Sequence, residues 1–360
     1  MPSIAYKKLK GLRDMIGALL APAAALLLAL LLGLVLIVVM GKDPALAAKA
    51  LAQGAFGSKQ ALGETVVKMT PLIMTGLSFA LANRCGLINI GAEGQLYMGG
   101  LFAVIVGLYV KAPAFLHLPL TILAGFVGGG IWGMLAGFFK VRFGANEMIT
   151  TIMLNYVANY FSNYMVMSVL VEPPGTMPQT PQIAVSAQLP RLFEGSRIHA
   201  GIIVALLCIL LYYIFLWKMR TGFETRVVGL NPDAASYAGI NNRNRVVLAM
   251  FIAGGFAGLA GAMELMGVQL RLFQDFSPGY GFDGIAVALL GQNSPIGILL
   301  SALMFGALRA GSNLMQMMAK VPAASIYIIQ SLVIIFVVGS RFMTDLQKKW
   351  AIKREAKEDK

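Results

Sequence analysis

Four acidic residues, Glu93, Glu147, Glu264 and Asp283, lie within or at the edge of otherwise apolar stretches of the sequence. An ionisable side chain is costly inside a bilayer, and it usually faces the interior of a helix bundle or a water-filled pathway. Such carboxylates could bind a proton or a cation, or hydrogen-bond a polar solute. Side-chain amides lie near them in the sequence, and uncharged amides suit a neutral polar solute better than an ion. These amides are Asn89, Gln95, Asn146, Asn155, Asn159 and Asn163.

Glu147 has a second interpretation. It follows Asn146 immediately before an apolar run, and a carboxylate in the first turn of a helix is stabilised by the helix dipole. The residue could therefore stabilise a helix start instead of lining a pathway.

Hydrolytic chemistry would need an activated nucleophile, and the sequence offers one weak candidate. The segment Gly76–Ala80 resembles a nucleophile elbow around Ser78 but lacks the final glycine. Neither His117 nor His199, both predicted at the outer face of the membrane, lies at a depth where it could activate this hydroxyl. We therefore interpret Ser78 as a helix-packing residue and predict no catalytic residue.

Metal chemistry is equally unsupported by the sequence. The two cysteines stand at neither metal-ligand nor disulfide-framework spacing, and each histidine is isolated. The sequence therefore predicts inert thiols at Cys85 and Cys208, no metal site and no cofactor bound by this chain.

The composition indicates the elements that must hold these polar groups. Of the 360 residues, 58% are hydrophobic and 12% are charged, whereas about a quarter of a soluble domain is charged. The net charge is +13, but the basic residues lie between apolar runs and in the tails, and no basic helix carries exposed aromatics. These features predict an integral membrane protein and exclude a soluble multidomain enzyme and a nucleic-acid-binding protein.

Ten apolar segments are predicted to be membrane helices, each of which needs about 20 residues. The first is uncharged for 26 residues and follows four basic residues, so it is too long for a cleaved signal peptide and is interpreted as a retained span. The ten segments are 15–40, 63–82, 95–111, 118–139, 147–171, 199–217, 246–270, 276–291, 295–311 and 324–341.

The distribution of positive charge predicts the orientation of these spans. With the N-terminus placed in the cytosol, 19 of the 29 basic residues fall on the inner side, in agreement with the positive-inside rule. We therefore predict an all-α polytopic membrane protein of about ten transmembrane helices whose N- and C-termini are both cytoplasmic.

Two short motifs indicate an internal repeat. Gly91–Gly94 reads Gly-Ala-Glu-Gly and Gly281–Gly284 reads Gly-Phe-Asp-Gly, 190 positions apart, and each leads into a short apolar segment. In the predicted topology the block 63–171 starts outside and the block 246–341 starts inside, so the two blocks would be inverted repeats. Short, glycine-interrupted helices in corresponding positions of two halves line the substrate site of several transporter families. The alternative is two unrelated helix breaks.

These blocks divide the chain into five segments. They are an N-terminal tail with the first helix and an outer loop, the first repeat, an outer loop with a linking helix and a cytoplasmic loop, the second repeat, and a charged cytoplasmic tail. Their boundaries are 1–62, 63–171, 172–245, 246–341 and 342–360.

Glycines at helical spacing predict close helix packing within the two blocks. Helices in lipid approach each other through small side chains, because no hydrophobic force drives them together there. One stripe consists of Gly125, Gly129, Gly133 and Gly137, and a second consists of Gly254 and Gly258.

The predicted cytoplasmic loop 218–245 contains a well-delimited short helix. Asn231 suits the N-cap, Pro232 the first helical position and Asp233 the first turn, and Gly239 ends the element. This helix could be a solvated linker, or it could dock into a groove on a soluble partner.

Four stretches in the same order resemble the permease subunits of bacterial ABC importers, in the superfamily that serves branched-chain amino acids and simple sugars. Within it, the chain is most similar to the larger permease of the nucleoside importers. The resemblance covers about residues 60–340. The four stretches are Gly86–Gln95, Gly144–Tyr156, Gly229–Ile240 and Phe276–Gly291.

This resemblance implies a heterodimer with a second, smaller permease in the bacterial inner membrane, in contact with lipid. It also implies a cytoplasmic ATP-binding protein that uses ATP and Mg²⁺, and an extracytoplasmic substrate-binding lipoprotein. The sequence contains no phosphate-binding loop of the Gly-x-x-x-x-Gly-Lys-Ser/Thr type. We therefore predict a transport subunit that is not itself an enzyme.

Two sets of site residues follow from the motifs and the resemblance. The candidate transport pathway consists of Asn89, Glu93, Gln95, Asn146, Glu147, Asn155 and Asp283. The candidate surface for coupling to the ATPase consists of Glu224, Arg226, Asn231, Asp233, Ala234, Ala235 and Gly239.

Nucleosides are the predicted cargo, and two alternatives stay open. The same importer type could carry simple sugars or branched-chain amino acids. An ion-coupled secondary transporter would explain the repeats and the buried acids, but it would leave the delimited cytoplasmic helix without a role.

Overall fold

The computed structural model describes residues 27–29, 31–175, 177–322, 324–325, 327–333, 335–336 and 339. Regular structure in these residues is helical, and among them no strand occurs beyond two isolated antiparallel bridges. The predicted all-α fold is therefore confirmed. The start of the predicted first span and the predicted tail 342–360 lie outside the described residues.

Most helices lie in the predicted apolar segments. The helices are α1 (Leu27–Val39), α2 (Pro44–Phe56), α3 (Lys59–Arg84), α4 (Ala92–Tyr109), α5 (Ala114–Phe143), α6 (Glu147–Tyr164), α7 (Gly201–Lys218), α8 (Arg220–Leu230), α9 (Pro232–Tyr237), α10 (Asn242–Glu264), α11 (Tyr280–Leu290) and α12 (Pro295–Ala319). Helices α2, α8 and α9 lie outside the predicted apolar segments. Helices α6 and α10 each continue into a π-helical turn, at Met165–Val169 and Leu265–Gln269. Further helical residues lie between 324 and 339.

Five helices are long and apolar enough to cross a membrane: α3, α5, α7, α12, and α10 with its π turn. Leu207, Leu210 and Leu211 of α7 are each more than half exposed, whereas most of α3 is buried. A continuous exposed apolar surface of this kind suits hydrocarbon and not water. The chain is therefore a multi-pass membrane protein.

Two compact units divide the chain. One joins the described residues up to Gly54 with those from Gly311 onward. Its buried cluster contains Ile37, Ala50 and Met315, among other apolar residues. The larger unit, Ala55–Ala310, contains helices α3 to α11 and most of α12.

Glycines bring α5 and α10 into close contact within the larger unit. A Cβ added at Gly129 would overlap the backbone of Gly254 and Gly258, and one added at Gly125 would overlap the side chain of Ala262. The two predicted glycine stripes thus pack against each other, which confirms their packing role. Backbones that approach this closely leave no room for larger side chains.

Both histidines are buried. His117 hydrogen-bonds Ser186 Oγ through Nδ1 at 2.7 Å and the Val106 carbonyl through Nε2 at 3.1 Å. His199 accepts a hydrogen bond from the Gly201 amide. The described residues contain no group of three or more His, Cys, Asp or Glu side chains placed to hold a metal.

Candidate functional site

The two glycine–acid–glycine motifs meet in the interior of the larger unit. The Gly281 amide donates a hydrogen bond to Glu93 Oε2 at 2.7 Å, although 188 positions separate the two residues. Each motif lies at the start of a helix, because α4 begins at Ala92 and α11 begins at Tyr280. The carboxylate of one motif therefore satisfies a free N–H group at the start of the other helix.

An ion pair joins α11 to α12 beside this contact. Arg309 Nε lies 2.8 Å from Asp283 Oδ2, and the two side chains are only 9% and 13% exposed. The Arg309 guanidinium also donates to the Pro278 carbonyl and lies 4.8 Å from the ring centroid of Tyr280. Lys68 of α3 donates to the hydroxyl of Tyr280 at 3.2 Å. The partners of Asp283 were missed in the sequence, although a cation within an apolar segment was a signal.

Glu264 lies at the end of α10 and is 4% exposed. Its Oε2 accepts no hydrogen bond from the part of the chain that the structure describes. The side chain therefore faces the bundle interior, as predicted for an acid in an apolar segment.

We expect Asp283→Asn to lower the stability of the folded protein by about 3 kcal/mol, because it removes the carboxylate that pairs with the buried Arg309 guanidinium. The thermal unfolding midpoint of the purified complex measures this loss. The Asp283→Asn, Arg309→Gln double variant should recover much of it, since both members of the buried ion pair are then neutral. A double variant whose loss equals the sum of the two single losses would show that the ion pair contributes nothing.

Side-chain amides fix the loop that precedes α4. Asn89 donates to Gln95 Oε1 at 3.0 Å and to Ser78 Oγ at 3.3 Å, and Gln95 donates back to Asn89 Oδ1 at 3.1 Å. The Gly91 amide also donates to Asn89 Oδ1. Ser78 is fully buried in this network, which agrees with its predicted packing role.

Asn155 attaches the same motif to α6. Its Oδ1 accepts from the Gly94 amide at 2.8 Å and its Nδ2 donates to the Ile90 carbonyl at 2.9 Å. The structure therefore brings together five of the seven predicted pathway residues, around the starts of α4 and α11. They are Asn89, Glu93, Gln95, Asn155 and Asp283.

The other two predicted pathway residues stabilise the start of α6. Asn146 is its N-cap and accepts from the Met148 and Ile149 amides. Glu147 is in the first turn, as its second interpretation proposed, and its carboxylate lies 2.6 Å from Lys140 Nζ.

The short helix that the sequence predicts within residues 218–245 is present, as α9. Asn231 Oδ1 accepts from the amides of Asp233 and Ala234, both at 3.0 Å. Pro232 is the first helical residue. Gly239 has φ +78, which ends the helix in a conformation that other residues rarely adopt.

The exposed face of α9 differs from the predicted set. Asp233 and Ala234 are exposed, but Ala235 is completely buried. Two apolar side chains frame the helix and were not predicted: Leu230 is 87% exposed and Tyr237 is 94% exposed. The sequence signal that could have indicated these two residues was a large side chain at each end of a short capped helix.

Glu224 and Arg226 of α8 contact other residues of the chain and do not belong to the exposed face of α9. Glu224 pairs with Arg220 at 2.8 Å and with Arg245 at 3.3 Å. The Arg226 guanidinium lies 5.8 Å from the ring centroid of Trp217.

The end of α8 is packed against the end of α3. A Cβ added at Gly229 would overlap the Arg84 carbonyl and lie 2.8 Å from the Gly86 nitrogen. Arg84 in turn donates to the Asn293 carbonyl, in the loop between α11 and α12, and Asn293 donates to Asn83. Helix α8 and the start of α9 are thus connected to both the α3 and the α11–α12 segments.

Comparison with known proteins identifies the family of the chain. The family of permease components of branched-chain amino acid transport systems matches residues 61–338. The chain belongs to this permease family. The permease is accordingly a membrane transport component and not an enzyme.

Several curated relatives of the permease are similar over most of their length. The guanosine ABC transporter permease protein NupP of Bacillus subtilis is 41% identical over 92% of this chain and 98% of its own. The nucleoside ABC transporter permease protein NupB of Lactococcus lactis is 38% identical over 81% and 83%. The glucose ABC transporter permease protein TsgB13 of Haloferax volcanii is 37% identical over 89% and 87%. Bacillus subtilis also has the guanosine ABC transporter permease protein NupQ, 26% identical over 67% and 78%. No solved structure matches the permease.

Proposed function

We propose that this permease is a membrane subunit of an ATP-driven ABC importer that moves nucleosides across the bacterial inner membrane. The observation that carries the cargo assignment is the 41% identity to a guanosine permease over nearly the whole of both chains. The interior contact between the starts of α4 and α11 supports a transport role, because broken helices inside a membrane protein line a site or a cavity.

The proposed topology has ten transmembrane helices, cytoplasmic termini and two inverted repeats at 63–171 and 246–341. Its support is the parallel order of elements. Helix α3 precedes the Gly91–Gly94 motif and α4, and α10 precedes the Gly281–Gly284 motif and α11. Segment 1–62 would then be the N-terminal tail with the first helix and an outer loop. Segment 172–245 would be an outer loop, a linking helix and the cytoplasmic coupling loop, and segment 342–360 would be the charged cytoplasmic tail.

The proposed partners divide the work of transport. A cytoplasmic ATP-binding protein would hydrolyse ATP with Mg²⁺, a second, smaller permease would complete the membrane unit, and an extracytoplasmic lipoprotein would deliver the nucleoside. The existence of both NupP and NupQ in one bacterium supports the paired permeases.

In this proposal α9 receives the movement of the ATPase. Its exposed Ala234 and Tyr237 would dock on the partner, and the contact of Gly229 with the end of α3 would carry the displacement inward. The hydrogen bond from Arg84 to Asn293 would extend it to α11 and α12. Glu93 and Asp283 would then hold the two broken helices in the positions between which the cavity switches access.

Uptake of labelled guanosine, cytidine, glucose and leucine by cells with and without the gene tests the function, with ATP depleted in a parallel set. We expect the gene to add ATP-dependent nucleoside uptake alone. Added glucose uptake would favour simple sugars as the cargo, a second candidate supported by the 37% identity to a glucose permease. Uptake that follows an ion gradient would overturn the importer class.

A further inference from the structure

Helix α6 carries an Asn-Tyr pair three times at intervals of four residues, at 155–156, 159–160 and 163–164. A period of four places like residues on neighbouring positions of one helix face. The helix therefore has an asparagine row beside a tyrosine row. The function proposed above uses only the first asparagine.

The asparagine row is bound to the protein along its length. Beyond Asn155, which holds the start of α4, Asn159 and Asn163 both donate to Asp275 Oδ1, at 3.0 and 2.9 Å. The Asp275 amide donates back to Asn163 Oδ1 at 3.1 Å. These bonds fix the rotation of α6, and they hold one oxygen of the Asp275 carboxylate at the loop between α10 and α11.

The tyrosine row is open. Tyr156, Tyr160 and Tyr164 are 56%, 70% and 59% exposed. Successive rings are about 6 Å apart along the helix axis. Flat aromatic rings with a hydroxyl at the edge suit a partner that is both aromatic and polar, and a nucleobase stacks on such rings whatever its identity.

A cavity of about 420 Å³ lies at the Asp275 end of the row, a size typical of small-molecule sites. Asp275 is exposed, and in the described part of the chain only its Oδ1 accepts side-chain hydrogen bonds. The other oxygen can accept from a base N–H or a ribose hydroxyl. The residues that line the cavity are Met177, Pro178, Gln179, Phe273, Gln274 and Asp275.

We propose that Tyr156, Tyr160 and Tyr164 form an aromatic track for the base of the transported nucleoside, entered from the cavity beside Asp275. The inference rests on the proposed nucleoside cargo. Each tyrosine ring would stack on only one face of the base. Several such weak sites in a row bind a solute firmly enough to admit it and weakly enough to release it. The hydrogen bonds of the asparagine row hold the exposed side of α6, with its tyrosines, in a fixed orientation.

Uptake by the complete importer reconstituted in liposomes tests the track. We expect each Tyr→Ala variant to take up guanosine and uridine about tenfold more slowly, and each Tyr→Phe variant to remain near wild type, because the ring and not the hydroxyl provides the stacking surface. Tyr109→Ala is the matched control, because Tyr109 is 66% exposed at the end of α4. The amount of second permease that co-purifies is measured for every variant.

Three results would overturn parts of the proposal separately. Unchanged nucleoside uptake by the triple Tyr→Ala variant would remove the track and leave the nucleoside function intact. Loss of the co-purified second permease in the alanine variants would make the tyrosine row a subunit interface instead. Absence of nucleoside uptake in the wild-type importer would remove the proposed function itself.

Discussion

Gly281→Ala is expected to abolish accumulation of folded permease in the membrane. The added methyl group would overlap the backbone of Glu93 and lie 2.7 Å from the Ala92 carbonyl carbon. Main-chain atoms at the start of α4 cannot move aside, because Asn89 and Asn155 hold that start by hydrogen bonds. We expect a loss of more than about 3 kcal/mol of stability. Size-exclusion chromatography of detergent extracts measures the amount of folded protein.

Two controls separate this overlap from other effects of the site. Gly279→Ala introduces the same methyl group two residues earlier, where no atom lies within 4 Å and only the φ of +88 opposes it, at a cost of about 1–2 kcal/mol. Glu93→Gln keeps an acceptor for the Gly281 amide, so it should fold. Normal accumulation of Gly281→Ala would show that the two motifs do not meet as the structure describes.

Local features of the fold were predictable because a few neighbouring residues determine them. Asn231, Pro232 and Gly239 delimit α9 through a cap, a fixed φ and a positive φ, all within nine positions. The glycine stripes predicted close helix packing for a similar reason, because the regular spacing of the glycines is visible within each single helix. Neither signal required knowledge of a distant partner.

Contacts between distant residues were not predictable in the same way. The bond between Gly281 and Glu93, and the ion pair between Asp283 and Arg309, join positions that are 188 and 26 residues apart. A single sequence shows which acids are unusual in an apolar segment, but the packing of several helices decides what they meet. The burial of Ala235 shows that even local exposure could not be predicted from the sequence. Ala234 and Ala235 are adjacent in one short helix, but only Ala234 is exposed.

Ala234→Glu is expected to separate ATP hydrolysis from transport. Ala234 is exposed on α9 between Leu230 and Tyr237, whose apolar side chains are 87% and 94% exposed. The added carboxylate would lie beside that of the exposed Asp233, and it must lose its hydration when the ATPase covers this surface. We expect docking to weaken by about 2 kcal/mol or more, which is roughly thirtyfold, and nucleoside uptake to fall accordingly. ATPase activity and uptake are measured together in the reconstituted importer.

The control is the same substitution at Ala114, which is exposed at the start of α5, at the outer end in the proposed topology. Ala114→Glu should leave uptake and hydrolysis unchanged, because the charge is added away from the ATPase. Ala235→Glu is unsuitable as a test, since a buried alanine cannot accept a carboxylate without unfolding α9. If Ala234→Glu transports at the wild-type rate, then α9 does not couple the permease to its ATPase, and the contact of Gly229 with α3 carries no displacement.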